Sequence, residues 1–245
     1  GGARPKAHVI NASGHVAIAK FPSASSDTWN VMAWEKVALD LARAAGLTVE
    51  NSQLIRVADR HVLIADRFDR RGSARIGYAS AMTMLEARPG DQRSYLEIAE
   101  VIEERSPAAT RELRQLWRRI AFSVLISNTD DHLRNHGFLH ERGESWTLSP
   151  AFDLNPNPAP GPKYLSTAID FTDTLASLET VMSVAGYFRL DEGAALVVLA
   201  EVMNAVAGWH DVAKSHGLTN RDIELMQPAF VHPETERARD LTQPQ

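Results

Sequence analysis

The sequence predicts an α+β fold in two lobes: a small mixed α/β lobe over residues 1–70 and a larger, mainly helical lobe over residues 71–245. Two observations carry this. Up to about residue 70, short alternating runs flank one amphipathic stretch in the order strand, strand, helix, strand, strand. Beyond it the apolar period lengthens to three and four, and long helical patterns take over. With 44% apolar residues among 245, the chain can bury a substantial core.

The elements follow in order. AHVINASGHVAIAKF, residues 7–21, reads as two strands around the turn Asn11-Ala12-Ser13-Gly14, closed by the breaker pair Phe21-Pro22. A helix over 28–45 is predicted because Val31, Trp34, Ala38, Leu41, Ala42 and Ala45 recur at three- and four-residue steps, with Gly46 just past its end. QLIRVA (53–58) and HVLIADRF (61–68) read as a further strand pair. Helical patterns then fall at about 94–105, 108–127, 191–215 and 219–227, and Trp34, Trp117 and Trp209 read as core. Two stretches interrupt them. One is SNTDDHLRNHGF (127–138); the other is LSPAFDLNPNPAPGPK (148–163), whose prolines exclude a regular helix. The last fifteen residues read as a polar, loosely held tail.

Composition narrows the function. A net charge of -5 gives no broad basic field for nonspecific nucleic-acid binding. The absence of cysteine excludes disulfides and thiolate metal sites and fits a reducing cytoplasm. No apolar run approaches the roughly 18–20 residues of a membrane span, and no signal-peptide pattern opens the chain, so no membrane partner is expected. The chain opens on GGARPK without Met, and an upstream portion is expected.

Phosphoryl transfer from a nucleotide needs a strand Lys for the phosphates and a helix carboxylate to hold that Lys. It also needs an Asp near the acceptor hydroxyl, and an Asn with a second Asp for magnesium. In protein kinases these come in the order glycine-rich loop, V-A-I-K, helix Glu, catalytic Asp with Asn five residues on, then D-F-G. This chain supplies them in that order. Gly1-Gly2 stand as the remnant of the loop, VAIAK (16–20) ends in Lys20, and Glu35 sits mid-helix. Asp130 lies five residues before Asn135, and Asp153 follows in AFDL with Phe152 in front of it rather than behind.

Plainer readings stand beside each. Asp130 would also suit the cap of a helix starting at Asp131. His132 and His136, four apart, could face a zinc ion, but Leu133 stands where such a site needs Glu. Lys20 would suit a solvated strand end, and Glu35 fits an exposed helix position as well as an ion pair. Asp131 and His136 receive no task, and His136 and His140 read as surface or loop residues. Arg118 and Arg119 lie near the polar loop, which leaves a substrate contact open. NPNPAPGPK fits an activation segment or a plain surface loop equally well.

The histidine placement is specific. Here it follows the Asp, in D-x-H-x-x-N. Together with ADRFDRR (65–71), ISNTDDHLRNHGF (126–138) and LSPAFDLNP (148–156), it makes the chain resemble the HipA family, bacterial Ser/Thr kinases that act as toxins of toxin–antitoxin pairs. GGARPK is similar to that family's G-A-Q-x-K loop, with Arg4 in place of Gln, and MLEARPGDQRSYLEIAEVI to the opening of its helical lobe. The resemblance implies a protein-kinase-like fold with ATP and Mg2+ as cofactors. Lys20 would contact the nucleotide phosphates, paired to Glu35, with Gly2 and Lys6 in the phosphate loop. Asp66, Arg67 and Phe68 would form the hinge beside adenine. Asp130 would be the catalytic base, His132 its support, and Asn135 and Asp153 the magnesium ligands.

The family's regulatory loop Ser would precede Gly1, and its N-terminal subdomain, which some relatives carry on a separate polypeptide, would lie outside these residues, either by truncation or in a split system. The implied partners are a protein substrate such as an aminoacyl-tRNA synthetase and a helix-turn-helix antitoxin, with DNA reached only through the antitoxin. Two alternatives remain: a small-molecule or lipid kinase with the same constellation, and an inactive kinase fold serving as a binding module. Retention of Lys20, Asp130, Asn135 and Asp153 speaks against the second.

Overall fold

The structure is a computed structural model that describes residues 4–23, 27–72 and 74–242. Its first part contains β1 (Lys6–Ile10), β2 (Val16–Lys20), α1 (Val31–Ala44), β3 (Ser52–Val57) and β4 (Arg60–Asp66). The strands form one antiparallel sheet in the order β1-β2-β4-β3. The β1–β2 turn forms because the Asn11 side-chain oxygen accepts the backbone N–H groups of Ser13 and His15, both at 2.9 Å, while Gly14 takes φ +79°. Along β2 the alternation turns Ala17 and Ala19 into the core and leaves Ile18 and Lys20 facing a cleft.

Helix α1 starts where the Asn30 side chain caps the Ala33 N–H and stops at Gly46, whose φ of +77° L-residues rarely adopt. The whole apolar stripe is buried, and so are Glu35 and Lys36. The helix is enclosed on most sides because it packs on β3 and β4 and also against two helices from late in the chain, Glu192–Ala207 and Trp209–Ser215.

The rest of the chain runs β5 (Arg70–Arg71), β6 (Ala74–Arg75), β7 (Tyr78–Ser80), α2 (Ala81–Met84), α3 (Tyr95–Arg105), α4 (Ala109–Leu125), β8 (Gly137–His140) and β9 (Trp146–Leu148). After these come α5 (Leu178–Ser183), α6 (Glu192–Ala207), α7 (Trp209–Ser215), α8 (Asn220–Met226) and α9 (Pro233–Thr242). A Ser94/Glu97 capping box begins α3. One continuous apolar cluster runs from α1 through α9. Trp34, Trp117 and Trp209 all lie in it, and Trp209 stacks on Phe230 with centroids 4.6 Å apart.

Three features depart from the sequence reading. Strand β7 pairs with β8, and β8 with β9, forming a second sheet beside the 127–138 loop. Gly137 permits that pairing, since a Cβ there would come within 2.4 Å of the Tyr78 ring. The helix expected over 191–215 bends by 43° at Gly208 into α6 and α7. The expected loose tail is α9, which buries Thr235 and Ala238 and packs on α6. Among the described residues no single helix is long and apolar enough to cross a membrane; only the bent pair α6–α7 meets that test of length and composition.

Candidate active site

A cleft of about 540 Å³ opens between the first sheet and residues 151–153. Lys6, Lys20, Glu35, Asp66, Arg67, Phe68 and Asp153 all line it. Lys20, the last residue of β2, donates to the Glu35 carboxylate from α1 and to Asp153 Oδ1 at 3.0 Å. Burial pulls the Lys20 ammonium down, but the charges of Glu35 and Asp153 outweigh it and hold it above the usual lysine range. Burial pushes the Glu35 carboxyl up, and Lys20 offsets this only in part. Burial acts upward on Asp153 too, yet Lys20 prevails and keeps it below the usual carboxylate range. The two carboxylates differ in access: the Glu35 side chain is 3% exposed and that of Asp153 32%. Asp153 is the one with a face left for a ligand.

The backbone at Asp153 has φ +59°, a left-handed conformation for a residue with a Cβ. Asn155 supports it by donating from Nδ2 to the Asp153 carbonyl at 3.2 Å. At the mouth of the cleft the Arg67 guanidinium pairs with Asp69 and approaches His8 Nε2 at 2.8 Å. Phe68 packs against Phe152 at 5.4 Å and Tyr78 at 5.9 Å, so aromatic rings border the apolar part of the cleft. The side chain of Asp66 accepts from Asn11 Nδ2 at 2.6 Å. Arg4 pairs with Asp27 at 3.0 Å. Gly2 lies outside the described residues.

Asp130, His132 and Asn135 do not line the cleft; they stand on the adjoining loop. That loop leaves α4 through Ser127 at φ +53° and ends in a 3-10 turn, Leu133–Asn135. No helix begins at Asp131, so Asp130 is not a helix cap. Asp130 is exposed, and its carbonyl accepts from the His132 N–H at 2.9 Å and from Asn135 Nδ2 at 3.0 Å. His132 is half-buried, and its Nδ1 has no partner among the described residues.

Three hydrogen bonds sew this loop to the one after Asp153. The Asn155 N–H donates to Asn128 Oδ1 at 3.2 Å, the Asn157 N–H to the Ser127 carbonyl at 3.2 Å, and Asn157 Nδ2 to Thr129 Oγ1 at 2.8 Å.

Asn135 and Asp153 offer oxygen donors, and among the described residues no three His, Cys, Asp or Glu side chains gather as a metal cage. That donor set fits Mg2+, which binds through one or two carboxylates and completes its shell with phosphate oxygens and water. It does not fit zinc.

The residues passed over in the sequence form a buried cluster behind the loop. Asp131 and His136 are 3% and 2% exposed, and His136 Nε2 lies 3.1 Å from Asp131 Oδ1. His136 is therefore not a surface residue. Tyr95 and Ser123 donate to Asp131 Oδ2 at 2.7 and 3.2 Å. Burial works upward on the Asp131 carboxyl, but His136, Tyr95 and Ser123 outweigh it and hold it low. Arg119 is buried as well, donating to the Ser149 carbonyl; burial lowers its pKa to about 10 although Asp131 and Glu112 pull the other way. Neither arginine is open to a substrate, since Arg118 is held by the Ala45 carbonyl and Glu201. The D-x-H-x-x-N spacing singles out Asp130, and no sequence signal marks Asp131 for burial.

The model of the HipA-like C-terminal domain family matches residues 1–209. The chain belongs to that family. Among solved structures, this HipA-like domain superposes on a HipA from Shewanella oneidensis MR-1, solved in a toxin–antitoxin complex with HipB and operator DNA. The TM-score is 0.75 at 15% identity, covering 99% of this chain and 66% of that one. It also superposes on the Helicobacter pylori proinflammatory kinase CtkA, with TM-score 0.72 at 15% identity, covering 99% of this chain and 92% of that one. The mixed α/β fold is thus shared with both.

Two curated relatives carry provisional kinase names. One, from Haemophilus influenzae, is 33% identical over 25% of this chain and 18% of its own length. The other, Y4dM of Sinorhizobium fredii, is 29% identical over 47% of this chain and 32% of its own length. The HipA-like chain therefore spans less than a third of the first of these and about a third of the second.

Proposed function

We propose that this HipA-like domain is an ATP- and magnesium-dependent protein Ser/Thr kinase. The observation that supports it best is Lys20, at the end of a cleft-facing strand, bonded at once to Glu35 from α1 and to Asp153 from the far wall. A strand Lys held by a helix carboxylate beside a metal-capable Asp is what nucleotide phosphates require. Residues 1–70 act in this reading as the nucleotide-binding lobe and residues 71–245 as the catalytic lobe.

In the reaction, Lys20 and Lys6 bind the phosphates, and Asp66, Arg67 and Phe68 border the base. Asp130 accepts the proton of a Ser or Thr hydroxyl as its oxygen bonds to the γ-phosphorus. The bond from that phosphorus to the β–γ bridging oxygen breaks, and ADP leaves. His132 supports the loop, and Asn135 and Asp153 would hold Mg2+, which would supply neutralisation of the phosphate charge. The HipA and kinase names among the relatives agree with this chemistry. By the same family reasoning, the acceptor is a protein of the translation apparatus such as an aminoacyl-tRNA synthetase. The partner is a helix-turn-helix antitoxin, with DNA contacted through it and the site of action cytoplasmic.

The test is transfer of the γ-phosphate of labelled ATP to protein in a cell extract, with and without magnesium. Wild-type chain should label a protein band only with Mg2+, and Asp130→Asn should abolish the band while retaining ATP binding. ATP binding without any transfer would support an inactive module, and transfer to small molecules alone would support a metabolite kinase. Neither binding nor transfer would remove the kinase reading.

A further inference from the structure

Asp130 and Asp131 are neighbours in sequence and opposites in environment, and the reaction proposed above uses only the first. Asp131 is anchored through its side chain and its backbone. Oδ2 takes the hydroxyls of Tyr95 on α3 and Ser123 on α4, at 2.7 and 3.2 Å. Oδ1 faces His136 Nε2, and its backbone carbonyl accepts from Thr167 Oγ1 at 2.7 Å. The exposed Asp130 is thus tethered to the rigid core of the helical region through its neighbour's carboxylate.

The same cluster reaches the other functional loop. Ser123 Oγ accepts from Asn128 Nδ2 at 3.4 Å, Asn128 Oδ1 accepts the Asn155 N–H at 3.2 Å, and Asn155 Nδ2 donates to the Asp153 carbonyl at 3.2 Å. An unbroken chain of hydrogen bonds therefore joins Asp131 to Asp153. Catalytic groups need placement to within a fraction of an ångström, and residues that never touch substrate often set it.

We propose that Asp131 is a positioning residue: through Ser123, Asn128 and Asn155 it holds Asp130 in register with Asp153. The proposal rests on the kinase reading. A cluster that only stabilised the core would change melting temperature alone. A positioning cluster governs the chemical step at constant nucleotide affinity.

The experiment measures kcat, KM for ATP, Mg-ATP binding by calorimetry and melting temperature for the full chain and two variants. Asp131→Asn keeps the shape and removes the charge; Asn128→Ala leaves the Asp131 pairs intact and cuts the link to Asn155. Both should lose about 10- to 100-fold in kcat, with KM and Mg-ATP affinity within about twofold, as for residues that orient a ligand from behind. If Asp131→Asn does not fold, Asn128→Ala decides alone. Wild-type transfer with kcat unchanged in the folded variants overturns the positioning role and leaves the kinase reading standing. So does a loss confined to KM. Absence of transfer by wild type overturns both.

Discussion

Two clusters of charge lie on either side of the same loop, and they are built differently. The cleft cluster of Lys20, Glu35 and Asp153 is held together by ion pairs but left partly open, with about a third of the Asp153 side chain exposed. The cluster around Asp131 is closed: its side chain is 5% exposed, two hydroxyls donate to Oδ2, and an imidazole lies 3.1 Å from Oδ1. A buried charge is tolerated only when its partners replace water. In the closed cluster those partners are protein groups, so the charge holds the loop in place. In the open one part of the shell is left for a ligand, so the charge can serve chemistry.

That contrast can be broken from either side. The largest effect should come from Asp130→Asn: a loss of about 10²- to 10⁴-fold in kcat, as for removal of a general base, with ATP affinity unchanged by calorimetry. Asp153→Ala should abolish the magnesium-dependent part of the ATP-induced thermal shift while leaving the unliganded melting temperature near wild type. A large loss of unliganded stability there would show that Asp153 is chiefly structural.

The closed cluster should register in stability as well as in kcat. Because the Asp131 carboxyl is held below its usual range, its contribution is complete above about pH 4 and is lost as pH falls through the lower native value. The acid limb of a melting-temperature profile should therefore be shallower in Asp131→Asn than in wild type. Tyr95→Phe deletes one hydroxyl donated to that carboxylate and should cost about 1.5–3 kcal/mol, read by chemical denaturation. Smallest of all, Arg4→Gln removes a pair with Asp27 in which the arginine side chain is about a third exposed, and should change stability by about 1 kcal/mol or less.

Much of this was legible from local pattern. The stripe from Val31 to Ala45 and the turn at Asn11–Gly14 depend on near neighbours, and each stands in the structure within a few residues of its expected place. Helix α9 was missed although Pro233 and Glu234 are good helix-start residues, because only Thr235 and Ala238 face the core and no apolar stripe announces it. The bend at Gly208 was missed because apolar periodicity continues through it. The β7–β8 pairing was missed because it joins residues some sixty positions apart, a separation no local period encodes.

By itself, the sequence determined which side chains are candidates for the proposed phosphoryl transfer and in what order they come, since that information lies in residue type and spacing. Only the tertiary structure decided their standing. It placed Lys20 between Glu35 and Asp153 and divided two adjacent aspartates into one facing water and one sealed behind it. The physical reason is that burial and pairing are properties of what packs around a residue. Tyr95, Ser123 and His136 reach Asp131 from three separate elements, and no reading of the loop alone could have gathered them.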